Sequence, residues 1–121
     1  MINKKFPLVS ILINNYNKEN FCVKAVKSAI EQDYKNLEVI FYDDNSSDSS
    51  INRIEKLKKK FKIRKLKIIK NKIRHNVFSF NQIEGIRKSL IKSKGDIICI
   101  LDSDDFYKKD KIKKIVMQFI K

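Results

Sequence analysis

Only two glycines, Gly85 and Gly95, stand among the 121 residues, and neither belongs to a Gly-x-Gly-x-x-Gly or Walker loop. That argues against the glycine-rich cradles that hold dinucleotides and triphosphates on backbone N–H groups. Any phosphate recognised by this chain has to be held another way. Cysteine is as scarce. Cys22 and Cys99 show no Cys-x-x-Cys spacing and have no second pair, so neither a disulfide framework nor a zinc site is indicated. Both read as reduced core thiols. The single histidine, His75, lies in the polar stretch Arg74-His75-Asn76 and reads as exposed, which leaves Ser103 without a recognisable base and argues against a serine nucleophile. No apolar run approaches the roughly 18 residues of a membrane span, and Met1 to Pro7 lacks the apolar core of a signal peptide. The expected location is the cytoplasm.

Acid is also in short supply: 14 Asp and Glu stand against 28 Lys and Arg, a formal charge of +14. Nucleic acid and acidic lipid therefore enter as candidate partners. Between Lys56 and Arg74 there are eleven basic residues and no acidic one, interleaved with Leu57, Phe61, Ile63, Leu66 and Ile68. A solvated face accounts for such a run more simply than a nucleic-acid patch does. The length allows one compact domain, and 42% apolar residues are enough to fill its core.

The apolar residues fall into alternating strand and helix patterns. Leu8 to Ile13 is nearly continuous, β-branched and apolar, and reads as a central strand stopped by the turn-forming Asn14-Asn15-Tyr16-Asn17. Glu19 to Gln32 carries a helical stripe of Phe21, Cys22, Ala25, Val26, Ala29 and Ile30. Leu37 to Tyr42 is a second strand, followed by Asp43-Asp44-Asn45-Ser46-Ser47-Asp48, where Ser47 or Asp48 can cap a helix through Ile51, Ile54, Leu57 and Phe61. Leu66 to Ile69 reads as a third strand near a sheet edge, where Lys discourages intermolecular pairing. A helical pattern from Phe80 to Ile91 is closed by Gly95 as a helix-ending residue. Ile97 to Leu101 reads as a fully buried fourth strand, ending in Asp102-Ser103-Asp104-Asp105. The last helix, marked by Ile112, Ile115, Val116, Phe119 and Ile120, is expected to run to Lys121.

Strands alternating with helices predict an α/β fold, a Rossmann-like doubly wound and mainly parallel sheet. In the order 3-2-1-4 the winding reverses beside strand 1, and a crevice opens at the carboxyl ends of the strands. Asn14 to Asn17, Asp43-Asp44 and Asp102 to Asp105 would line its lip. Six of the fourteen acidic residues fall in the two acidic loops of an otherwise basic chain. A bound divalent metal would offset the mutual repulsion of carboxylates so close together, although a solvated acidic turn is the simple alternative for either loop. An EF-hand starting at Asp102 is excluded because Tyr107 and Lys113 occupy the positions that require Gly and Glu.

Three segments resemble the family 2 glycosyltransferases with a GT-A fold: Val9 to Asn17; Gln32-Asp33-Tyr34 through Asp43-Asp44-Asn45-Ser46-Ser47-Asp48; and Gly95-Asp96 through Asp105. The resemblance implies that residues 1–121 form the nucleotide-sugar-binding half of an inverting, hexosyltransferase-type enzyme that uses Mn²⁺ or Mg²⁺. It further implies that Asn14 and Tyr16 line the base pocket, that Asp44 contacts the nucleoside, and that Asp102 and Asp104 are the D-x-D pair. Of these two, Asp102 meets ribose or metal and Asp104 holds the metal on the diphosphate. The implied partners are a donor, most commonly a UDP-sugar, and an acceptor sugar or lipid-linked glycan of polysaccharide or glycoconjugate synthesis. The family usually has Pro-Thr where Asn14-Asn15 stand, Gly where Asn45 stands, and an Asn-x-Gly where Arg87-Lys88-Ser89 stand. Its general base lies well downstream of the D-x-D, whereas no carboxylate side chain follows Asp110, so the base is expected beyond Lys121 and the chain reads as truncated. Such a chain is expected to leave one side of strand 4 uncovered and to self-associate. A non-catalytic basic module that binds nucleic acid or anionic membrane through Lys56 to Arg74 is the alternative, and a transferase seated on the inner membrane face would combine both.

Overall fold

The computed structural model describes residues 2–120. Four strands and four helices alternate along the chain: β1 (Val9–Asn15), α1 (Cys22–Ile30), β2 (Leu37–Asp43), α2 (Ser50–Phe61), β3 (Leu66–Lys70), α3 (Phe78–Lys92), β4 (Ile97–Asp102) and α4 (Lys111–Phe119). The strands form one parallel sheet in the order β3-β2-β1-β4, as expected from the alternation. Each strand returns through a helix, so all four carboxyl ends lie along one rim. The register places Asn14 opposite Tyr42 on one side and opposite Asp102 on the other.

The period of two sorts each strand between the faces. Val9, Ile11 and Ile13 of β1, Val39 and Phe41 of β2, and Ile97, Cys99 and Leu101 of β4 share the main core with Cys22, Ala25, Val26, Ala29, Ile54, Ile112 and Val116. Both thiols are free and buried there. The opposite face carries Ser10, Leu12, Asn14, Ile40 and Tyr42, and α3 packs over β1 and β2. Gly85 permits that approach: a Cβ there would lie 2.9 Å from the Asn14 amide nitrogen and from the Tyr42 ring.

β4 differs from the fully buried strand read in the sequence. It alternates strictly, with Ile98 and Ile100 37% and 52% exposed, because α3 packs mainly over β1 and β2 and, among the described residues, leaves that side of β4 largely open. A continuous apolar sequence thus reports a strand that could be covered twice, not one that is. The helices also start and stop differently from their apolar patterns. Phe21 precedes α1 and is exposed, and α1 stops at Ile30. Gln32 then joins α1 to α4: its amide nitrogen donates to the Ser28 and Lys108 carbonyls, and its oxygen accepts from the Ile112 N–H. Asp48 serves the first turn of α2 by accepting from the Ser50 N–H and hydroxyl. α4 ends at Phe119, and Ile120 instead makes a parallel bridge with Ile2. The expectation that the helix reaches Lys121 falls outside the described residues.

Gly95 does not end α3, whose C-cap is Ser93 in an extended conformation. It is glycine because it lies against β1. Its N–H donates to the Ser10 hydroxyl at 2.9 Å, and a Cβ there would meet that oxygen at 2.4 Å and the Ser10 backbone nitrogen at 2.7 Å. Ser10 in turn donates to Glu38, which also accepts from the Lys94 N–H and from Lys67. Burial pushes the Glu38 carboxyl up, but these donors together hold it below its ordinary value.

Two predictions follow from this cluster. Gly95→Ala destabilises the fold by about 2–4 kcal/mol, measured by urea unfolding, because the clash involves backbone that cannot rotate away. Because Glu38 titrates lower in the folded than in the unfolded chain, its contribution is complete above the unfolded value and is lost as pH falls through the folded one. Acid titration of stability is therefore expected to be shallower in Glu38→Gln than in the parent chain.

Candidate functional site

The loop after β1 and the loop after β2 are stitched together by short polar side chains. Asn17 adopts a left-handed conformation (φ 51°), and its side-chain oxygen accepts from the Ser47 N–H at 2.8 Å. Asn45 is also left-handed (φ 57°), so asparagine meets a backbone requirement that usually selects glycine. Asp43 and Asp44 are adjacent but point to opposite faces. Asp43 is buried and accepts from the Asn15 amide and from the Ser46 N–H and hydroxyl, which fixes the loop. Asp44 faces the rim.

Asp44 is already engaged. Its carboxylate accepts from Arg74 Nε at 2.9 Å and from the Asn71 amide at 2.8 Å. The Arg74 guanidinium lies 3.5 Å from the centre of the Tyr16 ring. The hydrogen bond that Arg74 donates to Asp44 raises the Arg74 pKa further, so the cation is fixed over the aromatic face. Asn81 secures the preceding loop, accepting from the His75 N–H and donating to the His75 carbonyl. His75 itself is exposed, with its ring edge against Phe80.

The third wall is the loop after β4. The Asp105 N–H donates to the Asp102 carbonyl at 3.0 Å, making a tight turn with Ser103 buried and the Asp102 and Asp104 side chains exposed. Lys18 Nζ stands 3.7 Å from Asp104 Oδ2 across the opening. The Tyr107 hydroxyl donates to the Ile100 carbonyl at 2.6 Å and the Tyr107 N–H donates to the Ser28 hydroxyl at 3.0 Å, tying the segment after the turn to β4 and α1.

These walls enclose a cavity of about 420 Å³. All five residues singled out in the sequence, Asn14, Tyr16, Asp44, Asp102 and Asp104, line it together. Asp105 does not. The sequence reading missed Lys18, Tyr42, Arg74, Phe78, Asn81 and Gln82, which also line it. Arg74 was visible only as the last member of a basic run, and its tie to Asp44, 30 residues away, has no local signature. Arg87-Lys88-Ser89 is not among the lining residues, while on the same helix the Gln82 carbonyl accepts from the Asn14 amide and Gly85 lies against Asn14 and Tyr42.

Two features of the donor set bear on a ligand. Among the described residues the buried Asn14 amide oxygen and Tyr42 hydroxyl have no hydrogen-bond partner, an arrangement that costs free energy. Burial, followed by the nearby Asp44, pushes the Tyr42 hydroxyl up to about 12, so it stays neutral. Among the described residues no three ligating side chains cluster. Asp102 and Asp104 fit a hard divalent cation that takes its remaining oxygens from a phosphate and water, not an all-protein cage.

The family model for Glycosyl transferase family 2 matches residues 10–121. An uncharacterized glycosyltransferase of Haemophilus influenzae is 34% identical over 110 residues, covering 91% of this chain and 32% of that protein. The UDP-Glc:alpha-D-GlcNAc-diphosphoundecaprenol beta-1,3-glucosyltransferase WfaP of Escherichia coli is 37% identical over 106 residues, covering 87% of this chain and 38% of that protein. Among solved structures, the mannosyltransferase PcManGT of Pyrobaculum calidifontis in complex with GDP-Man and Mn²⁺ superposes with a TM-score of 0.81 at 21% identity, over 91% of this chain and 31% of the other. TarS of S. aureus in complex with UDP-GlcNAc superposes with a TM-score of 0.74 at 23% identity, over 91% of this chain and 30% of the other. The chain thus spans about a third of the length of relatives such as these. Matched in sequence along nearly its whole length and sharing the GT-A fold, the chain belongs to glycosyltransferase family 2.

Proposed function

We propose that residues 1–121 are the donor-binding half of an inverting glycosyltransferase that takes its sugar from a nucleoside diphosphate sugar with the help of Mn²⁺ or Mg²⁺. The observation that carries this reading is the meeting of Asn14 and Tyr16, Asp44, and Asp102 with Asp104, from three separate loops, around one cavity. Tyr16 offers an aromatic face for the base, with Arg74 as a cationic partner to it. Asp44, held by Arg74 and Asn71, presents a fixed acceptor to nucleoside N–H or hydroxyl groups. The unpartnered Asn14 oxygen supplies a second acceptor at the same wall.

Asp102 and Asp104 would hold the divalent ion, with Asp102 also within reach of the ribose. When bound, such an ion stabilises the charge that develops on a departing diphosphate. Lys18 sets a further positive charge beside Asp104. None of the residues lining the cavity is assigned as the base that takes the acceptor proton. The nucleotide-sugar complexes of the structural neighbours and the lipid-diphosphate acceptor named for the Escherichia coli relative agree with this assignment. The acceptor named for that relative supports a lipid-linked glycan as the acceptor class.

Calorimetric titration with UDP in the presence and absence of Mn²⁺ tests the reading. Binding is expected to strengthen with the ion, and Asp104→Asn is expected to remove that increment while leaving metal-free binding in place. Asp44→Asn weakens binding by about 10- to 100-fold with or without the ion, as loss of a charged hydrogen-bond acceptor does. Indifference to Mn²⁺ in the parent chain would reject the assignment.

A further inference from the structure

The end of the sheet opposite the cavity carries a second organised surface. α1 and α2 both run away from the carboxyl rim, so their last turns and the loop into β3 lie at the other end of strands about 20 Å long. Two grooves open there, of about 630 Å³ and 590 Å³, on either side of a shared ridge, Lys62-Ile63-Arg64. Leu57, Ile63 and Phe61 give the first groove an apolar floor and wall, and Phe61 is 57% exposed. Lys62 turns the chain at the end of α2 in a left-handed conformation (φ 50°), which points the loop outward.

The charge around this apolar centre is mainly positive: Glu31 and Glu55 also line the grooves, and Glu55 is paired with Lys70. The last turn of α2 carries Lys58, Lys59 and Lys60, and Lys62 and Arg64 follow it. Among the described residues these five cations have no carboxylate partner, unlike Lys67 and Lys70, which pair with Glu38 and Glu55. Their density is not a requirement of the helix. Cations in a last turn favour the carbonyl end of the dipole, but one or two suffice for that, and five in seven positions repel one another. An apolar side chain standing out of such a ring matches a surface that is anionic at its face and apolar beneath it.

We propose that this end of the molecule docks on an anionic phospholipid bilayer, with Phe61 entering the headgroup boundary and Lys58, Lys59, Lys60, Lys62 and Arg64 meeting lipid phosphates. The composition favours lipid over nucleic acid. The cations are mainly flexible lysines, and Phe61 is the only aromatic among the residues that line the two grooves, so they offer no row of rings on which successive bases could stack. Docking here leaves the cavity at the other end of the sheet open to solvent. The proposal does not depend on what that cavity binds.

Flotation with phosphatidylcholine vesicles, with and without about a third phosphatidylglycerol, tests it on the full chain, since each basic residue near an anionic surface contributes measurably to partitioning. Binding is expected only to the anionic vesicles and is expected to weaken steeply as added salt shortens the screening length. Replacing Lys59, Lys60, Lys62 and Arg64 with Gln is expected to lower partitioning by about 30-fold or more. Phe61→Ser lowers it about fivefold without changing net charge. Replacing four cations at the carboxyl end of the sheet, Lys24 and Arg53 in the first turns of α1 and α2 and Lys70 and Lys72 at the end of β3, with Gln serves as the control for net charge. An equal loss in that control, no loss in Phe61→Ser, or tighter binding to a short nucleic-acid duplex than to the vesicles at the same salt would each overturn the proposal.

Discussion

Everything in the site depends on the central position of β1, paired in parallel with β2 on one side and β4 on the other. Parallel pairing requires crossovers that return each chain segment to the same end of the sheet, and the right hand of those crossovers sends successive helices to opposite faces once the winding reverses. The reversal falls at Asn14 and Asn15. Tyr42 and Asp102 are register partners of Asn14, so the loops that leave β2 and β4 diverge from the same point, and the cleft is the space between them. α3 closes the back of this cleft only because Gly85 lets it sit against Asn14 and Tyr42.

A chain with a net charge of +14 gathers carboxylates at one rim by giving most of them a donor. Asp43 is held by amide and hydroxyl groups, Asp44 by Arg74 and Asn71, and Asp48 by Ser50 and the Glu19 N–H. Burial pushes Asp48 up, but these hydrogen bonds outweigh it and the group titrates below its ordinary range. Asp104 has only Lys18, at 3.7 Å and in solvent, and among the described residues no side chain or N–H donates to the Asp102 carboxylate. The acids around β2 are thus structural or pre-oriented, while the pair after β4 stays free to take a partner from outside. That division follows position: the β2 loop sits between two other elements of the sheet, and the β4 loop sits at its open edge.

Strand order and the approximate place of each strand were legible because they follow from period, apolar runs and the topology that alternation imposes. That topology also brings the loops after β1, β2 and β4 to one rim, whereas the choice of Asn14, Tyr16, Asp44, Asp102 and Asp104 within those loops came from the family resemblance. What was not legible depended on tertiary coverage. Ile98 and Ile100 look like core in the sequence, and only the reach of α3 decides that they are exposed. Gly95 has the spacing of a helix stop, and only its contact with Ser10 reveals a packing role. Asn45 departs from the glycine usual in the family, yet keeps the conformation, since asparagine tolerates the left-handed region better than other side chains with a Cβ. The basic run was misleading in the other direction. It mixes Arg74, which belongs to the cavity, and Lys67 and Lys70, which pair across the fold, with cations that have no internal partner.

Arg74 also bears on how the cavity exchanges ligands. Its guanidinium covers the Tyr16 ring while bonded to Asp44, so one cation neutralises the carboxylate and shields the aromatic face at once. Asp44 is nearly buried, and without Arg74 it would be a desolvated charge beside the neutral Tyr42 hydroxyl, a costly arrangement. A planar heterocycle entering against Tyr16 has the choice of displacing the guanidinium or stacking outside it. Displacement would break a charged hydrogen bond, whereas stacking retains the bond and adds a second cation–π contact. The arrangement therefore makes Tyr16, Arg74 and Asp44 one layered unit, with the Asp44 pair as the floor of the pocket.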